Sequence, residues 1–518
     1  MTWHKEIDEL KHRRELAKQM GGAEGIARQH SRGKLTVRER IDRLLDRDSF
    51  QEIGTLAGSA EYDEHGELKS FTPANTVTGY GKINGRPVCV QGADFTIRGG
   101  STVPSGGAKG VFIEKMSLEW RIPLIRLLEA AGGSVRTFEA IGRTYVPDSP
   151  WVVPGVTLMG HVPVVSAVLG SAAGWVAIMA EIAHWSIMPK DTSELFVAGP
   201  PLIERALGIR TTKEEVGDYR VHCYQTGVID NLAEDEEDVF RQIKVFLSYL
   251  PQNVWQPPPR VETDDNPNRR DEELLSIIPK DRSKLYDIRQ LISHIVDKDS
   301  AFELSPFYGR SLVTLLARMD GYPVAVLRND CGWFGGAQTA AACEKMVRFV
   351  DLADTFHLPV IYLVDVPGFM IGPESEKEGT LRKAARALFA MYQATTPWIS
   401  VLMRKCYGVA GSVHGSNARL NLRYAWPSAE WGSLPVAGGA MAAFRREIEA
   451  APDPEAKRVE IENRLDQLSS PFRTAEAFGV EEIIDPRDTR PLLCEFVRRA
   501  QDIAATQLGP KARVGVRP

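Results

Sequence analysis

The stretch MDGYPVAV, residues 319–326, repeats in outline the stretch INGRPVCV, residues 83–90, with Gly and Pro in the same two places. The shift is 236 residues, and it also carries Gly99-Gly100 onto Gly335-Gly336, Lys109 onto Lys345, Pro123 onto Pro359 and Gly132 onto Gly368. Gly and Pro constrain backbone dihedrals, so coincidences at those residues report a shared backbone course. Further along, the register slips by two residues, and Pro163 to Gly174 matches Pro397 to Gly408. The chain therefore reads as two copies of one fold.

Each copy has the same order of signals. A strand pair surrounds an Asn-Gly or Asp-Gly turn, then come a Gly-Gly loop, a helix, a buried strand and a Gly turn. The stretch HLPVIYLVDVPGFMIG, residues 357–372, is the buried strand and turn of the second copy, and IPLIRLLEAAGGSVR, residues 122–136, is its twin. Between the copies, residues 251–283 begin with PQNVWQPPPRVETDDNPNRRDEE, rich in Pro and charge, and read as a linker. The expected domains are 1–250 and 284–518, both α/β.

Composition narrows the classes further. A 518-residue chain with 25% charged residues and a formal net charge of -5 has no overall basic face for nucleic acid. Its six cysteines, at 89, 223, 331, 343, 406 and 494, show neither C-x-x-C nor zinc-type spacing, and read as reduced structural thiols of a cytoplasmic protein. The start, MTWHKEIDELKHRRELAKQMGG, is charged throughout and reads as an exposed amphipathic helix rather than an export signal. Residues 149–180 lack Asp, Glu, Lys and Arg, yet Pro150, Pro154 and Pro163 interrupt them, so they read as strand, Gly turn and buried helix.

Each half carries two strand-to-Gly turns, at Gly132-Gly133 and Gly174-Trp175 in the first and at Gly368-Phe369 and Gly408-Val409 in the second. Such a turn feeding a helix points backbone N–H groups outward, where they can stabilise a developing oxyanion. The plain alternative is that these glycines only turn the chain. Competing chemistries fail on spacing. There is no G-x-x-x-x-G-K-[ST] and no H-E-x-x-H, while GSAAG and GSVHG place Ser one residue early for a nucleophile elbow. His222 and His414 read as structural. Oxyanion donors without nucleophile or metal suit a reaction whose base arrives with the substrates.

Four stretches carry a family resemblance: RQHSRGKLTVRERIDRLLDRDSFQEIG, VTGYGKINGRPVCVQGADFTIRGGS, LFVAGPPLIERALGIRTTKEEVG and LVDVPGFMIGPESEKEGTLRKAARAL. With AWPSAEWGSLP at 425–435, the chain from about residue 28 to about residue 500 resembles the carboxyltransferase (β) subunit of biotin-dependent acyl-CoA carboxylases, propionyl-CoA and methylcrotonyl-CoA carboxylases among them. The resemblance implies two tandem crotonase-like domains, the first for acyl-CoA and the second for biotin. It also implies a hexamer with sites shared between subunits. CO2 passes from carboxybiotin to the α-carbon of an acyl-CoA, and the freed ureido nitrogen takes the α-proton.

Carried over residue by residue, the resemblance puts enolate donors at Gly174 and Trp175 and biotin donors at Val409 and Ala410. Gly132, Gly133, Gly368, Phe369 and Gly408 then flank the ligands, and Ser412 lies where the family tunes acyl size. The chain departs from the family pattern in having Gly174-Trp175 and Gly408-Val409 in place of Gly-Gly, and GGSVR in place of GGAR. Trp and Val host positive φ poorly, and Trp175 adds bulk beside the expected thioester. No A-M-K-M-like biotinylation segment occurs, and the EKM triplets at 114–116 and 344–346 read as ordinary helix. Carboxybiotin is therefore expected from a partner, a biotin carboxylase or biotin carboxyl carrier subunit, with no metal in this one. A decarboxylase or transcarboxylase of the same fold, and a non-catalytic β-like scaffold, stay open as alternatives.

Overall fold

The structure, a computed structural model, describes residues 2–101, 104–133, 135, 138–139, 142–146, 148, 150, 152–282, 284–415 and 420–512. The chain divides into two compact units, Met1–Gln256 and Pro257–Pro518.

In the first unit, strands β1 (Gln51–Ile53), β4 (Thr76–Ile83), β5 (Arg86–Ala93), β6 (Leu124–Ala130), β7 (Val164–Ala173), β8 (Trp185–Pro189) and β10 (Asn231–Ala233) lie in that order across one sheet. A short strand, β9 (Glu194–Phe196), pairs with the far end of β7, and β2 (Gly58–Tyr62) with β3 (Leu68–Pro73) forms a separate ribbon. β1, β4 and β5 are antiparallel, whereas β5, β6, β7, β8 and β10 run parallel. The β4–β5 hairpin closes at Asn84-Gly85, whose φ values of 50° and 79° suit the primed turn that matches strand twist. β6 and β7 are buried along their whole length, as parallel strands covered on both faces must be.

The second unit repeats this plan strand for strand. Its sheet runs β11 (Phe302–Leu304), β12 (Leu312–Met319), β13 (Tyr322–Asn329), β14 (Val360–Val366), β15 (Trp398–Tyr407), β16 (Leu422–Ala425) and β18 (Glu482–Ile483), with β17 (Glu430–Gly432) on the far end of β15. The registers agree as well: Leu124 faces Val164 in the first sheet, and Val360 faces Trp398 in the second, at the shifts read from sequence. Even the irregularity recurs, between Leu128 and Ala130 and between Val364 and Val366. The repeat also reaches further upstream than the sequence reading took it. Asp46 accepts from the N–H groups of Asn84 and Gly85, and Asp297 accepts from those of Asp320 and Gly321, so each hairpin turn is held by a carboxylate in the segment before it.

The residue skipped by each irregular register is a buried carboxylate, and each copy neutralises it differently. Glu129 receives Arg40 at 2.6 Å from the helix Val37–Leu44, together with Gln29 and Lys34. Gly170 lies beside it on β7, where a Cβ would stand 2.3 Å from the Glu129 carboxyl group. The position matching Gly170 is Arg404, which reaches Asp365 directly at 3.1 Å while Tyr286 donates to the same carboxylate at 2.6 Å. Burial disfavours ionised Asp365, but Arg328 and Arg404 outweigh it and hold the carboxyl below its ordinary range. Both networks stiffen the strand end that delivers the Gly132 or Gly368 turn.

The Pro- and charge-rich stretch expected as a linker is packed along most of its length. Val254 and Trp255 dock on the first unit, where Arg121 lies 3.9 Å over the Trp255 ring. From residue 257 onward it follows the second unit: Val261 bonds Gly321, Arg269 caps the carbonyls of His294 and Val296, and Leu274 and Ile278 join the core. Residues 149–180 resolve into the helix Val152–Leu158, strand β7, Gly174 and the helix Trp175–Glu181, so a helix precedes the expected strand. The first helix, His4–Lys18, is exposed on nearly every face, with Ala17 alone buried.

Candidate functional site

A pocket of about 110 Å3 in the first unit gathers most of the sequence-expected residues of that half. Gly132 and Gly133, after β6, line one side, and Trp175, Val176 and Met179 of the helix Trp175–Glu181 line another. The arrangement follows from Gly174, whose φ of 62° and ψ of -123° turn β7 abruptly into that helix. Only glycine adopts this conformation readily. Gly408 has the same φ of 62° in the second unit, where β15 turns into the short helix Gly408–Ser412.

This geometry corrects two expectations. Trp175 and Val409 are not hosts of positive φ; they are helical residues, and the glycine before each absorbs the strain. The Gly174 N–H, expected as an outward donor, donates instead to the Phe196 carbonyl at 3.2 Å and closes the turn against β9. The first helical bond runs from Ile178 N–H to the Gly174 carbonyl, so the amides of Trp175, Val176 and Ala177 precede the helical ladder and lie at its positive end.

In the second unit the expected residues take different environments. Val409 is exposed, Ala410 is buried, and the Ser412 hydroxyl is turned back onto the Val409 carbonyl at 2.6 Å. The Gly368-Phe369 turn is stitched to its neighbour: Gln338 N–H donates to the Gly368 carbonyl at 2.9 Å and Met370 N–H to the Gln338 carbonyl at 3.0 Å. Gly368 has a φ of 145°. Of the GGSVR motif, Ser134 and Arg136 lie outside the described residues.

The structure also shows what the sequence reading missed. Gly106, Gly107 and Gly110, on one face of the helix Pro104–Trp120, complete the pocket wall, with Asn75, Thr76, Gln91 and Glu114 among its polar members. A helical run of three glycines is costly in propensity, which was the available signal. The two histidines prove structural: His222 bonds the Leu195 carbonyl at 2.5 Å, and His414 bonds the Gly411 carbonyl, with burial lowering both below the usual imidazole value. All six cysteines are buried and unpaired, and burial raises the Cys89 thiol to about 12. Among the described residues no three His, Cys, Asp or Glu side chains gather as a metal site requires, and no helix is long and apolar enough to cross a membrane.

The pocket is lined largely by glycines and apolar side chains at the N-terminus of the helix Trp175–Glu181, an arrangement suited to the class of proteins that polarise a carbonyl by backbone amides. Comparison with known proteins gives that class its family. The carboxyl transferase domain matches residues 28–513. The carboxyltransferase subunit of propionyl-CoA carboxylase from Haloferax mediterranei is 34% identical over 96% of each chain. The methylmalonyl-CoA decarboxylase subunit alpha of Veillonella parvula is 30% identical over 95% of this chain and 94% of its own. The crystal structure of transcarboxylase 12S, a hexamer assembly with methylmalonyl-CoA and methylmalonic acid bound, is 32% identical. It superposes with a TM-score of 0.88 over 100% of this chain and 99% of that one. The chain belongs to the carboxyl transferase family, and its two units have the crotonase-like fold.

Proposed function

We propose that the chain is the carboxyltransferase subunit of a biotin-dependent acyl-CoA carboxylase acting on an acyl-CoA of the propionyl-CoA type. One observation carries the reading: the helix N-terminus after Gly174 and the Gly132-Gly133 turn line a single pocket. In this role, residues 1–250 take the acyl-CoA and residues 284–518 the biotin, with 251–283 joining them. The Trp175 and Val176 amides receive the thioester oxygen as its negative charge develops, with Gly174 setting their direction. Gly132 and Gly133 leave room for the thioester plane, since neither carries a side chain.

Carboxybiotin, carried on a biotin carboxylase or carrier partner, supplies the CO2 and the base that accepts the α-proton. The first turn of Gly408–Ser412, exposed at Val409 and buried at Ala410, fits a small urea oxygen, which needs backbone donors and no side-chain charge. Val409 and Ala410 hold that oxygen, while Gly368 and Phe369 wall the pocket. Because Ser412 is bonded to Val409, its influence on acyl size acts through that backbone. The same donors serve the reverse transfer, which the likeness to a decarboxylase subunit supports as the second reading. A hexamer is the assembly this reading carries with it, by likeness to transcarboxylase 12S.

The test is reconstitution of the full-length chain with a biotinylated partner, following ATP- and bicarbonate-dependent carboxylation over an acyl-CoA panel. Turnover of propionyl-CoA is expected. Intact assembly with no turnover of any acyl-CoA, forward or reverse, would leave only a non-catalytic scaffold.

A further inference from the structure

The two copies of the fold provide an internal comparison at the pocket. At the positions matching Gly106, Gly107 and Gly110, the second unit carries Ala342, Cys343 and Met346, which are 0%, 0% and 1% exposed. Matching Gln91 and Glu114, it carries Leu327 and Val350, also buried. In the second unit apolar side chains fill the space between helix and sheet. The first unit has three glycines and two polar side chains on the same wall.

Those polar groups are incompletely used. Glu114 is 1% exposed, and its Oε1 accepts from Arg126 at 2.7 Å, but among the described residues its Oε2 has no hydrogen-bond partner. The Gln91 Oε1 is likewise buried without a partner. The Gln91 amide lies against Gly110, where a Cβ would stand 3.0 Å from Nε2, so the glycine is what admits it. Arg126 is itself fixed by the Ile182 carbonyl at 2.5 Å, and its charge offsets that of Glu114. A buried acceptor without a donor is unfavourable, and although the Arg126 Nε is also unpartnered among the described residues, a ligand hydroxyl can supply the missing donor from the pocket side.

We propose that this wall selects the acyl group. The Gly106, Gly107 and Gly110 face admits an acyl chain extending past the α-carbon, and Glu114 with Gln91 receives a hydroxyl at its far end. The inference rests on the acyl-CoA reading of the pocket given above. A hydroxyl suits the site because it donates to the Glu114 carboxylate and can exchange a second bond with the Gln91 amide. The single hydroxyl proton goes to Glu114 Oε2 while its oxygen accepts from Gln91 Nε2, whereas a chain ending in a methyl would leave Glu114 Oε2 buried and unpaired, and sites built to bond a hydroxyl discriminate strongly against such analogues.

The experiment is calorimetric titration of the full-length protein with propionyl-CoA, pentanoyl-CoA and 4-hydroxybutyryl-CoA. The last two differ by a methyl against a hydroxyl. The expected result is binding of 4-hydroxybutyryl-CoA at least ~10-fold tighter than pentanoyl-CoA, the size of one good buried hydrogen bond. Gln91→Leu, which copies Leu327, should lower that ratio by about 3-fold or more, as loss of the second bond predicts, with the Glu114 bond keeping the hydroxyl ester the tighter ligand. Gly110→Met, which copies Met346, should weaken both longer esters at least ~10-fold more than propionyl-CoA, because the added side chain occupies their space. If that variant fails to fold by circular dichroism, the wild-type ratio and Gln91→Leu decide the matter alone. Propionyl-CoA binding with equal affinities for the two longer esters overturns this inference only. Failure to bind any of the three overturns the proposed function as well.

Discussion

Replacing Gly174 by Ala isolates the strained turn from everything around it. A Cβ at this position would meet nothing within 4 Å among the described residues, so none of them has to move. The cost is therefore the backbone's own: φ 62° with ψ -123° is a conformation essentially reserved for glycine. Forcing an L-residue there costs about 1–3 kcal/mol, and the stiffer unfolded chain returns about 0.4–1 kcal/mol. The net of about 1–2 kcal/mol lowers Tm by about 2–4 °C per kcal/mol in a unit of this size. Gly133→Ala is the matched control, because Gly133 has no positive φ and, among the described residues, an equally open Cβ position. That variant should be neutral or slightly stabilised. Thermal unfolding of both, followed by circular dichroism, measures the difference. Relaxation of the turn should also swing the Trp175 and Val176 amides, with a loss of about 10²-fold in transfer rate if one oxyanion donor is misplaced. If Gly174→Ala unfolds within a degree of Gly133→Ala, the turn accepts an ordinary residue and the argument for a glycine-built helix entrance fails.

Other perturbations test separate links. Ala410→Pro removes one backbone N–H in the first turn of the helix Gly408–Ser412. Transfer should fall about 10²–10³-fold with the sedimentation profile unchanged, and full activity would place the biotin donors elsewhere. Lys109 and Lys345, matched by the repeat, should respond oppositely to Met. Lys345 Nζ donates to the carbonyls of Ser305, Tyr308 and Leu312 at 2.8, 3.0 and 2.7 Å, so Lys345→Met should cost about 3 kcal/mol in urea unfolding. Lys109 is buried, which pushes its ammonium down to about 8 from the usual 10.5, so Lys109→Met should stabilise at neutral pH. Below pH 8 both folded and unfolded lysine hold the proton and the burial cost is fully present. From pH 8 to 10.5 only the unfolded state keeps it, so wild-type stability should climb relative to the variant over that window. Asp365→Asn leaves Arg404 and Arg328 without their buried partner and should cost about 3–5 kcal/mol, read as a lowered midpoint for the second unit.

Much of the architecture was legible because glycine and proline mark backbone geometry wherever they stand. Gly85, Gly99, Gly100 and their matches at 321, 335 and 336 all have positive φ, and their common spacing predicted two copies of one sheet before any strand was assigned. The strand-to-Gly turns at Gly174 and Gly408 were legible for the same reason. The Asp46 and Asp297 supports were not, because the upstream segments match at a different shift, absorbed by insertions that periodicity does not see. The status of each amide was also hidden: Gly174 is engaged by Phe196, a partner on a strand that leaves the main sheet path.

The pocket belongs wholly to tertiary structure. Gln91 comes from β5, the glycines and Glu114 from the following helix, Gly132 from the end of β6 and Trp175 from the helix after β7. No spacing in the sequence relates these residues, because parallel strands bring together positions separated by whole crossover helices. Sequence by itself determined that a turn of given handedness must occur at each special glycine, since φ is a local property of one residue. Which side chains those turns face, and whether the space between them is filled as at Met346 or open as at Gly110, was decided only by the packing of helix on sheet.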